Sequence, residues 1–356
     1  MINTRSKPLL LIGSVPLETA EEVFTQFGSP LGRYLAAMPD GEIGIRRMWI
    51  SRVHFQVLAI HPDIEVLRRP QLEDGAERLS PRDAADAWHF RVRTGVTRVR
   101  FDQPGWRLGY AREAINDYFV FRTLRDKGVL PTDLRFQVSV ASVSSAMPPR
   151  IFANLSDMEI VREGYEEALR AEVLKIAEKI PAGDLAIQWD CATEVHDAYG
   201  AAAPLPPEGG IERNLGQFAR LCPQIPTEVE IGVHLCFGTL GGWPRFAPAD
   251  LSKTVELANR IIEVAGRPVS WMHLPVLDRS DDAFFAPLAK LRPQGARIYL
   301  GVIHNMSRYA ARVAMARRYC KDFGVAAFCG FGRMSPSEMP QVLADHLRAA
   351  ELHSSH

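Results

Sequence analysis

The sequence predicts an α/β protein built as a single (βα)8 barrel, the TIM-barrel fold. Short, almost continuously apolar segments alternate with helical patterns along the chain, and eight such segments can be counted. The length of 356 residues also lies within the range of this fold. A doubly wound open sheet is the alternative, but no Gly-x-Gly-x-x-Gly motif follows the first apolar segment. We therefore expect one barrel domain over residues 1–356.

The predicted elements follow one another in regular order. Predicted strands cover residues 8–16, 33–42, 134–143, 185–192, 229–237, 269–276, 297–305 and 325–332. The clearest helical patterns cover residues 158–180, 250–266, 307–324 and about 337–351. The third helix is predicted to end at Gly324, because glycine often terminates helices, and the fourth begins with a Ser-Pro-Ser-Glu cap. Together these elements provide the repeats that a barrel requires.

One segment, from about residue 43 to 130, does not follow the alternation. It is rich in arginine and aromatic residues, and we predict an insertion that lies over the barrel mouth as a lid. Its arginines could contact an anionic substrate, although arginines in such a run more often form a solvated face.

Composition excludes several classes of partner. Lys+Arg and Asp+Glu each total 42, so the net charge of zero favours neither nucleic acid nor an anionic membrane. No apolar run reaches the ~18 residues of a membrane span, and the N-terminus has no signal-peptide pattern. The five cysteines are few and odd in number, which is typical of a reduced compartment. We therefore expect a cytoplasmic protein.

Six predicted strands end in residues that can bind metals or exchange protons. The carboxyl ends of the strands surround the active site in (βα)8 barrels, so these side chains should meet in one pocket. They are Asp40, Glu42, Asp190, His234, Cys236, His273, His304 and Cys329. A single buried histidine or cysteine usually serves packing, but the convergence of several predicts a site.

A zinc ion is the cofactor that this set of residues favours. His234 and Cys236 are two positions apart on one strand, so their side chains face the same side. Zinc prefers thiolate and imidazole ligands, and catalytic zinc sites leave one position for water or substrate. Cys329 would supply the second thiol, whereas Cys222 and Cys320 are not expected to bind metal. The spacing is less specific than paired Cys-x-x-Cys motifs.

Several short motifs resemble those of one enzyme family. They are LIGSVP (11–16), DGEIGIRRMW (40–49), IQWDCATE (187–194), VHLCFG (233–238), GVIHNMSR (301–308) and FCGFGR (328–333). In order and content they resemble the C-terminal catalytic barrel of cobalamin-independent methionine synthase, within the superfamily that includes uroporphyrinogen decarboxylase. The resemblance spans nearly the whole chain. It implies a zinc-dependent methyl- or alkyltransferase that activates a thiol substrate.

The resemblance also implies a role for individual residues. His234, Cys236 and Cys329 would bind zinc, and His273 stands at about the place of the family's fourth ligand, a glutamate. The substrate-binding residues would be Gly13, Ser14, Glu42 and Asp190, with the two carboxylates holding the ammonium of an amino-acid-like thiol. The catalytic residues would be His304, Asp190 and Glu42, with His304 handling protons. Asp190 could instead pair with an arginine, Glu42 could cap a turn, and His304 could be a buried histidine bonded to a carbonyl.

Departures from the family leave the substrates and other functions open. Phe328 replaces the family's aspartate before the last zinc cysteine, and Cys191-Ala192 replaces Glu-Pro, which implies a remodelled pocket. The family's separate N-terminal barrel has no counterpart, so the donor could be a small methylated compound or a corrinoid or other methyl-carrier protein. One alternative is a metal-free decarboxylase or lyase that acts on a polycarboxylate through segment 90–112 and Asp190. Another is a non-catalytic binding protein.

Overall fold

Eight parallel strands form the centre of the computed structural model, which describes residues 7–103 and 107–354. The strands of the chain are Leu9–Leu10 (β1), Ala37–Pro39 (β2), Ile64–Arg68 (β3), His89–Val92 (β4), Arg135–Ala141 (β5), Leu185–Cys191 (β6), Glu230–Leu235 (β7), Trp271–Pro275 (β8), Arg297–Ile303 (β9) and Gly324–Ala327 (β10). The large sheet has the order β1-β10-β9-β8-β7-β6-β5-β2, while β3 and β4 pair separately. A parallel bridge between Leu9 and Leu35 joins its two edges. The predicted (βα)8 barrel is confirmed.

Helices connect these strands. They are Ala20–Val23 (α1), Ser29–Leu31 (α2), Ile50–Val53 (α3), Tyr110–Asp126 (α4), Val143–Ala146 (α5), Leu155–Lys179 (α6), Thr193–Ala198 (α7), Gly210–Leu221 (α8), Ser252–Val264 (α9), Asp282–Phe285 (α10), Tyr309–Arg317 (α11) and Met339–Ser354 (α12). The predicted cap of the last helical segment is present, because the Glu338 carboxylate accepts a hydrogen bond from the Ser335 amide. Within 7–103 and 107–354, no helix has the length and apolar character needed to cross a membrane.

The prediction that a helix ends at Gly324 is wrong. Helix α11 ends at Arg317, and Gly324 is instead the first residue of β10. A Cβ atom at position 324 would lie 2.4 Å from the ring of Tyr299. Glycine is therefore present because two strands approach closely there, a requirement that sequence alone does not distinguish from helix termination.

The barrel interior is filled by large side chains set against small ones. Trp271 and Tyr299 pack inside with a small cluster of apolar residues, which are Leu10, Ile12, Ala37, Ala186 and Ala326. A Cβ atom on Gly232 would lie 1.8 Å from the Trp271 ring, so the glycine makes room for the indole. A separate and larger apolar core lies between the strands and the surrounding helices. The interior is thus packed below the level at which the strands end.

The segment between β2 and β5 holds the elements outside the simple repeat. Helix α4 packs on α1, α6 and β5, in the position of the helix that follows a second barrel strand. Among the described residues of 43–109, the additional elements include α3 and the antiparallel pair of β3 and β4. Arg46 ties this segment to the rim, because its guanidinium donates to Asp40 at 2.8 Å and to Asp117 at 2.7 Å. Its role as a lid stays a prediction.

Candidate metal centre

Adjacent strands bring the predicted site residues to one level of the barrel. Asp190 on β6 is paired in register with His234 on β7, which in turn pairs with His273 on β8. All three side chains are buried. Cys236 lies just after β7 and Cys329 just after β10, so both cysteines stand at the carboxyl ends of strands. Side-chain alternation along the strands therefore places these groups together.

His234, Cys236 and Cys329 form a group that can hold a metal ion. One ligand atom from each residue lies within 4.8 Å of the others, and the two sulfur atoms are 3.2 Å apart. The backbone N–H of Gly238 donates to the Cys236 sulfur at 3.2 Å, which fixes that side chain. Two sulfurs and one imidazole nitrogen are ligands that zinc prefers. Three protein ligands also leave a coordination position open, as in catalytic zinc sites.

The pKa values of the two thiols are shifted in opposite directions. A hydrogen bond from the Cys236 thiol lowers the pKa of Cys329 well below its usual range, and His234 acts in the same direction. The same bond, together with burial, raises the pKa of Cys236 well above its usual range. The pair therefore carries one negative charge readily, with the proton retained on Cys236. A thiolate held in this way is ready to bind a soft metal ion.

His273 lies behind His234 and outside this group. Its Nδ1 atom is 2.8 Å from Nδ1 of His234, and its Nε2 atom is 3.0 Å from the carbonyl oxygen of Ala327. If Nε2–H of His273 donates to that carbonyl, then Nδ1 of His273 has no proton and accepts a hydrogen bond from Nδ1–H of His234. In that arrangement Nδ1 of His234 is engaged with His273, and Nε2 is the nitrogen that remains for a metal ion or for the hydrogen bond with Cys329. His273 thus occupies the position of a residue that orients a metal-binding histidine.

His304 stands apart from the other predicted residues. Its Nε2 atom is 2.9 Å from the carbonyl oxygen of Val276, and its ring lies edge-on to Phe328. Burial, with the nearby Arg312 charge, lowers the pKa of His304 to about 4. Its side chain does not line the pocket formed by the cysteines and carboxylates. The partly buried, carbonyl-bonded ring fits the alternative that the sequence left open, and the proton-handling role of His304 stays a prediction.

The predicted substrate residues line the pocket beside the two cysteines. Ser14, Glu42 and Asp190 all contribute to its wall. Gly13 lies just behind, where a Cβ atom would come within 2.7 Å of a Glu42 carboxyl oxygen. Gln188 donates to the Asp190 carboxylate at 2.9 Å and so holds it from below. The structure thus brings the four predicted residues together around the candidate metal group.

Burial keeps protons on the two carboxyl groups of this pocket. It raises the pKa of Glu42 to about 8, with a further contribution from Asp40. It also raises the pKa of Asp190 well above its usual range, and the Glu42 charge adds to this effect. The charges of Arg46 and Arg52 act in the opposite direction on Glu42 but do not outweigh its burial. A positively charged ligand placed between the two carboxyl groups would allow both to ionise.

The variant Glu42→Gln is expected to gain stability relative to the wild type as the pH rises. Because the folded-state pKa of Glu42 is raised, its contribution to stability is present at low pH and is lost as pH rises toward about 8. Glutamine does not titrate, so the difference in unfolding free energy should change by more than about 1 kcal/mol between about pH 5 and pH 9. Urea unfolding of metal-free protein at both pH values measures this change. Glu18→Gln, at an exposed site, is the control, and an unchanged difference would contradict the assignment.

Several residues that line the pocket were not predicted as site residues. Trp49, Thr239 and Arg333 also line the pocket, and the Arg333 guanidinium donates to the Thr239 hydroxyl at 2.8 Å. Trp49 has φ +52° and ψ −124°, and Glu42 has φ +44°, which are strained conformations for residues with side chains. Trp49 belongs to a motif quoted above, but only its backbone conformation turns the indole into the pocket, and the sequence carries no signal of that.

Comparison with known proteins gives similarity at the level of structure. No protein-family model matches the chain, and no curated protein matches it in sequence. A B12-independent methionine synthase from Shewanella sp. W3-18-1, solved in complex with selenomethionine, is similar over 97% of each chain, with 12% identity and a TM-score of 0.59. A protein from Listeria monocytogenes described as a candidate vitamin-B12-independent methionine synthase is similar over 93% of this chain and 86% of its own, with 15% identity and a TM-score of 0.54. The resemblance read from the motifs is therefore confirmed for the fold: this chain shares the barrel architecture of the B12-independent methionine synthase structures.

Proposed function

We propose that the protein is a zinc-dependent transferase that moves a methyl or alkyl group onto the sulfur of a thiol substrate. The observation that supports this most directly is the group of His234, Cys236 and Cys329, whose ligand atoms lie within 4.8 Å of one another. The group stands where active sites stand in (βα)8 barrels. The shared fold with methionine synthase structures is consistent with this chemistry.

In the proposed reaction, one set of residues would bind the metal and His273 would orient one of its ligands. A zinc ion held by His234, Cys236 and Cys329 would supply the Lewis acidity that keeps a bound thiol deprotonated near neutral pH. His273 fixes the His234 ring through the Nδ1–Nδ1 contact of 2.8 Å. This contact keeps the other nitrogen of His234 facing the thiols. Orientation of this kind affects how strongly a ligand binds metal.

The carboxyl groups are suited to an amino-bearing thiol. An ammonium group placed between Glu42 and Asp190 would allow both to lose their protons and would offset the cost of their burial. Trp49 would exclude water from the same space. The methyl donor is a separate small molecule or a methyl-carrying protein such as a corrinoid protein. In the transfer, sulfur forms a bond to the methyl carbon, and the donor keeps the electron pair of the bond that breaks.

Removal of the metal is expected to abolish the activity, and restoring zinc is expected to recover it. The test uses protein as purified, protein stripped with a chelator, and stripped protein given one equivalent of zinc. Each is incubated with a panel of thiols and methyl donors, and methylated thiol is measured by mass spectrometry. The restored sample should recover the activity of the untreated one, whereas magnesium in place of zinc should not, because it prefers oxygen ligands.

The same assay separates the alternative functions. A metal-free decarboxylase would retain full activity in chelator and would release carbon dioxide from a polycarboxylate. A binding protein would turn over nothing and would retain a ligand through purification. Two arginines of segment 90–112 do not favour the decarboxylase, because Arg93 donates to the Pro62 carbonyl and Arg98 pairs with Glu167 at the surface.

A further inference from the structure

We infer that a second cavity, adjoining the metal pocket, binds an oxyanion group of the substrate through Arg150, Arg245 and Arg333. The oxyanion would be a carboxylate, phosphate, phosphonate or sulfonate, and its bearer would be the thiol or the methyl donor. The inference deepens the proposed function, because it rests on the sulfur or methyl end of that molecule lying near Cys236 and Cys329.

The two cavities share a wall. Trp49, Ala192, Gly238, Thr239 and Arg333 line both of them. The second cavity is therefore the immediate neighbour of the pocket that holds the cysteine pair.

The three arginines reach the second cavity from three different loops. Arg150 follows β5, Arg245 follows β7 and Arg333 follows β10. Arg333 donates to Thr239, and Arg245 lies 3.4 Å from Nδ1 of His196. The Nε atom of Arg150 is buried without a hydrogen-bond partner. The three guanidinium groups thus meet at one cavity, and at least one of their N–H donors, Nε–H of Arg150, has no hydrogen-bond partner.

Arg333 interacts with Glu42 and the two cysteines of the adjoining pocket, but in the described part of the chain no acidic residue of the second cavity itself balances Arg150 and Arg245. Among the described residues, the cavity lining contains no aspartate or glutamate. Burial lowers the pKa of Arg150 to about 9, and the charges that add to this effect are those of Arg245 and Arg333. A fully buried arginine elsewhere does have such a partner, as in the pair of Arg312 with Asp278 at 2.7 Å. A concentration of unbalanced arginines is costly unless an anion enters it.

The remaining walls supply neutral, polar groups. His54 lies 3.0 Å from the Ala146 carbonyl oxygen, and His196 lies 2.9 Å from that of Phe237. Burial lowers the pKa of both rings to about 4, so both are neutral near pH 7. The hydroxyl groups of Ser51, Thr193 and Thr239 also belong to residues of the lining. Guanidinium forks with hydroxyl donors are the usual partners of carboxylate, sulfonate and phosphate oxygens.

The combined pockets indicate a substrate with separated charges. Glu42 and Asp190 line the cavity that also holds the cysteines, whereas the arginines lie mainly in the other. An oxyanion would be repelled from the carboxylates and attracted to the arginines. Accordingly, its bearer should place the sulfur or methyl end at the cysteines and the oxyanion beyond Trp49.

Calorimetry with inorganic phosphate tests the site without requiring the reaction. Saturable binding is expected for the wild type, both with metal and after chelation, because the arginines do not belong to the metal group. Arg150→Gln and Arg245→Gln should each weaken binding by about 10- to 100-fold, as expected for lost hydrogen bonds to a charged group. Arg348→Gln, at an exposed site on α12, is the matched control and should bind like the wild type. Absence of saturable binding, or equal affinity in all three variants, would overturn the inference.

The thermal unfolding temperature of each variant shows whether it is folded. Without phosphate, Arg150→Gln should unfold at a higher temperature than the wild type, because a buried like charge has been removed. Phosphate should raise the unfolding temperature of the wild type but not that of the variant. A variant that loses stability and binding together would be replaced by Arg150→Lys. Lysine keeps the positive charge but lacks the planar guanidinium that donates two parallel hydrogen bonds, so phosphate binding should weaken about tenfold. Unchanged affinity would contradict the inference.

Two thiols that differ in one charged group identify the bearer of the oxyanion. If the thiol bears it, 2-mercaptoethanesulfonate should displace phosphate, and 2-mercaptoethanol should not. If the donor bears it, neither thiol should displace phosphate, although phosphate should then inhibit methyl transfer competitively against the donor. Both results require the arginine site. Saturable phosphate binding by a wild type that takes up no zinc and transfers no methyl group when zinc is supplied would keep this inference while contradicting the proposed function.

Discussion

Replacement of Cys329 by serine is expected to remove zinc from the folded protein and to lower methyl transfer by at least about 1,000-fold. The sulfur of Cys329 lies 3.2 Å from that of Cys236, and it is the thiol on which negative charge is most readily held. A serine hydroxyl does not ionise near neutral pH and is a poor ligand for zinc, so the site would keep only two good donors. Elemental analysis of untagged protein gives the zinc content per chain, and circular dichroism reports on folding.

Cys320→Ser is the matched control, because Cys320 lies outside the group and its sulfur faces the carbonyl oxygen of Asp322. This variant should retain one zinc ion per chain and full activity. A full equivalent of zinc in Cys329→Ser would rule out the ligand set. A well-folded wild type without zinc would instead move Cys236 and Cys329 from metal ligands to pocket wall.

Replacement of His273 by leucine is expected to weaken zinc binding by about 10- to 100-fold without changing the ligands. His273 bonds to His234 and to the Ala327 carbonyl, so its loss would free the His234 ring to rotate. At saturating zinc the variant should still bind one equivalent. Competition with a chromophoric chelator measures the affinity.

X-ray absorption at the zinc edge distinguishes orientation from ligation. If His273 orients His234, the wild type and His273→Leu should both show two sulfur ligands and one imidazole. Two imidazoles in the wild type, with one lost in the variant, would instead make His273 the fourth ligand. His304→Leu serves as the comparison, because the ring of His304 is also bonded to a backbone carbonyl, that of Val276, and lies outside the candidate metal group.

The sequence was most informative where strand periodicity alone decides the outcome. A spacing of two places His234 and Cys236 on one side of β7, and the ends of parallel strands must meet, so their proximity to Cys329 follows from the fold. Strand periodicity does not predict how deep each side chain lies in the barrel. His273 pairs in register with His234, yet only the three-dimensional arrangement shows its ring against Nδ1 of that residue.

Features that depend on loop conformation could not be predicted in the same way. Arg150, Arg245 and Arg333 are far apart in the chain and lie on three loops, whose paths no periodicity describes. The sequence directed attention instead to the arginines of segment 90–112, which is the denser cluster in the chain. Positive φ at Trp49 is likewise a property of tertiary packing, because nothing in the residue type favours it.

The close packing of Trp271 against Gly232 closes the barrel interior below the pocket, and substitution at position 271 would change the space there. The indole N–H of Trp271 lies 3.3 Å from the side-chain oxygen of Gln188, the residue that supports Asp190. Trp271, together with Tyr299, therefore fills much of the volume below the pocket, and the Gln188 amide links the indole to Asp190. For protein engineering, a smaller side chain at position 271 offers a route to longer substrates that leaves every residue of the metal group in place.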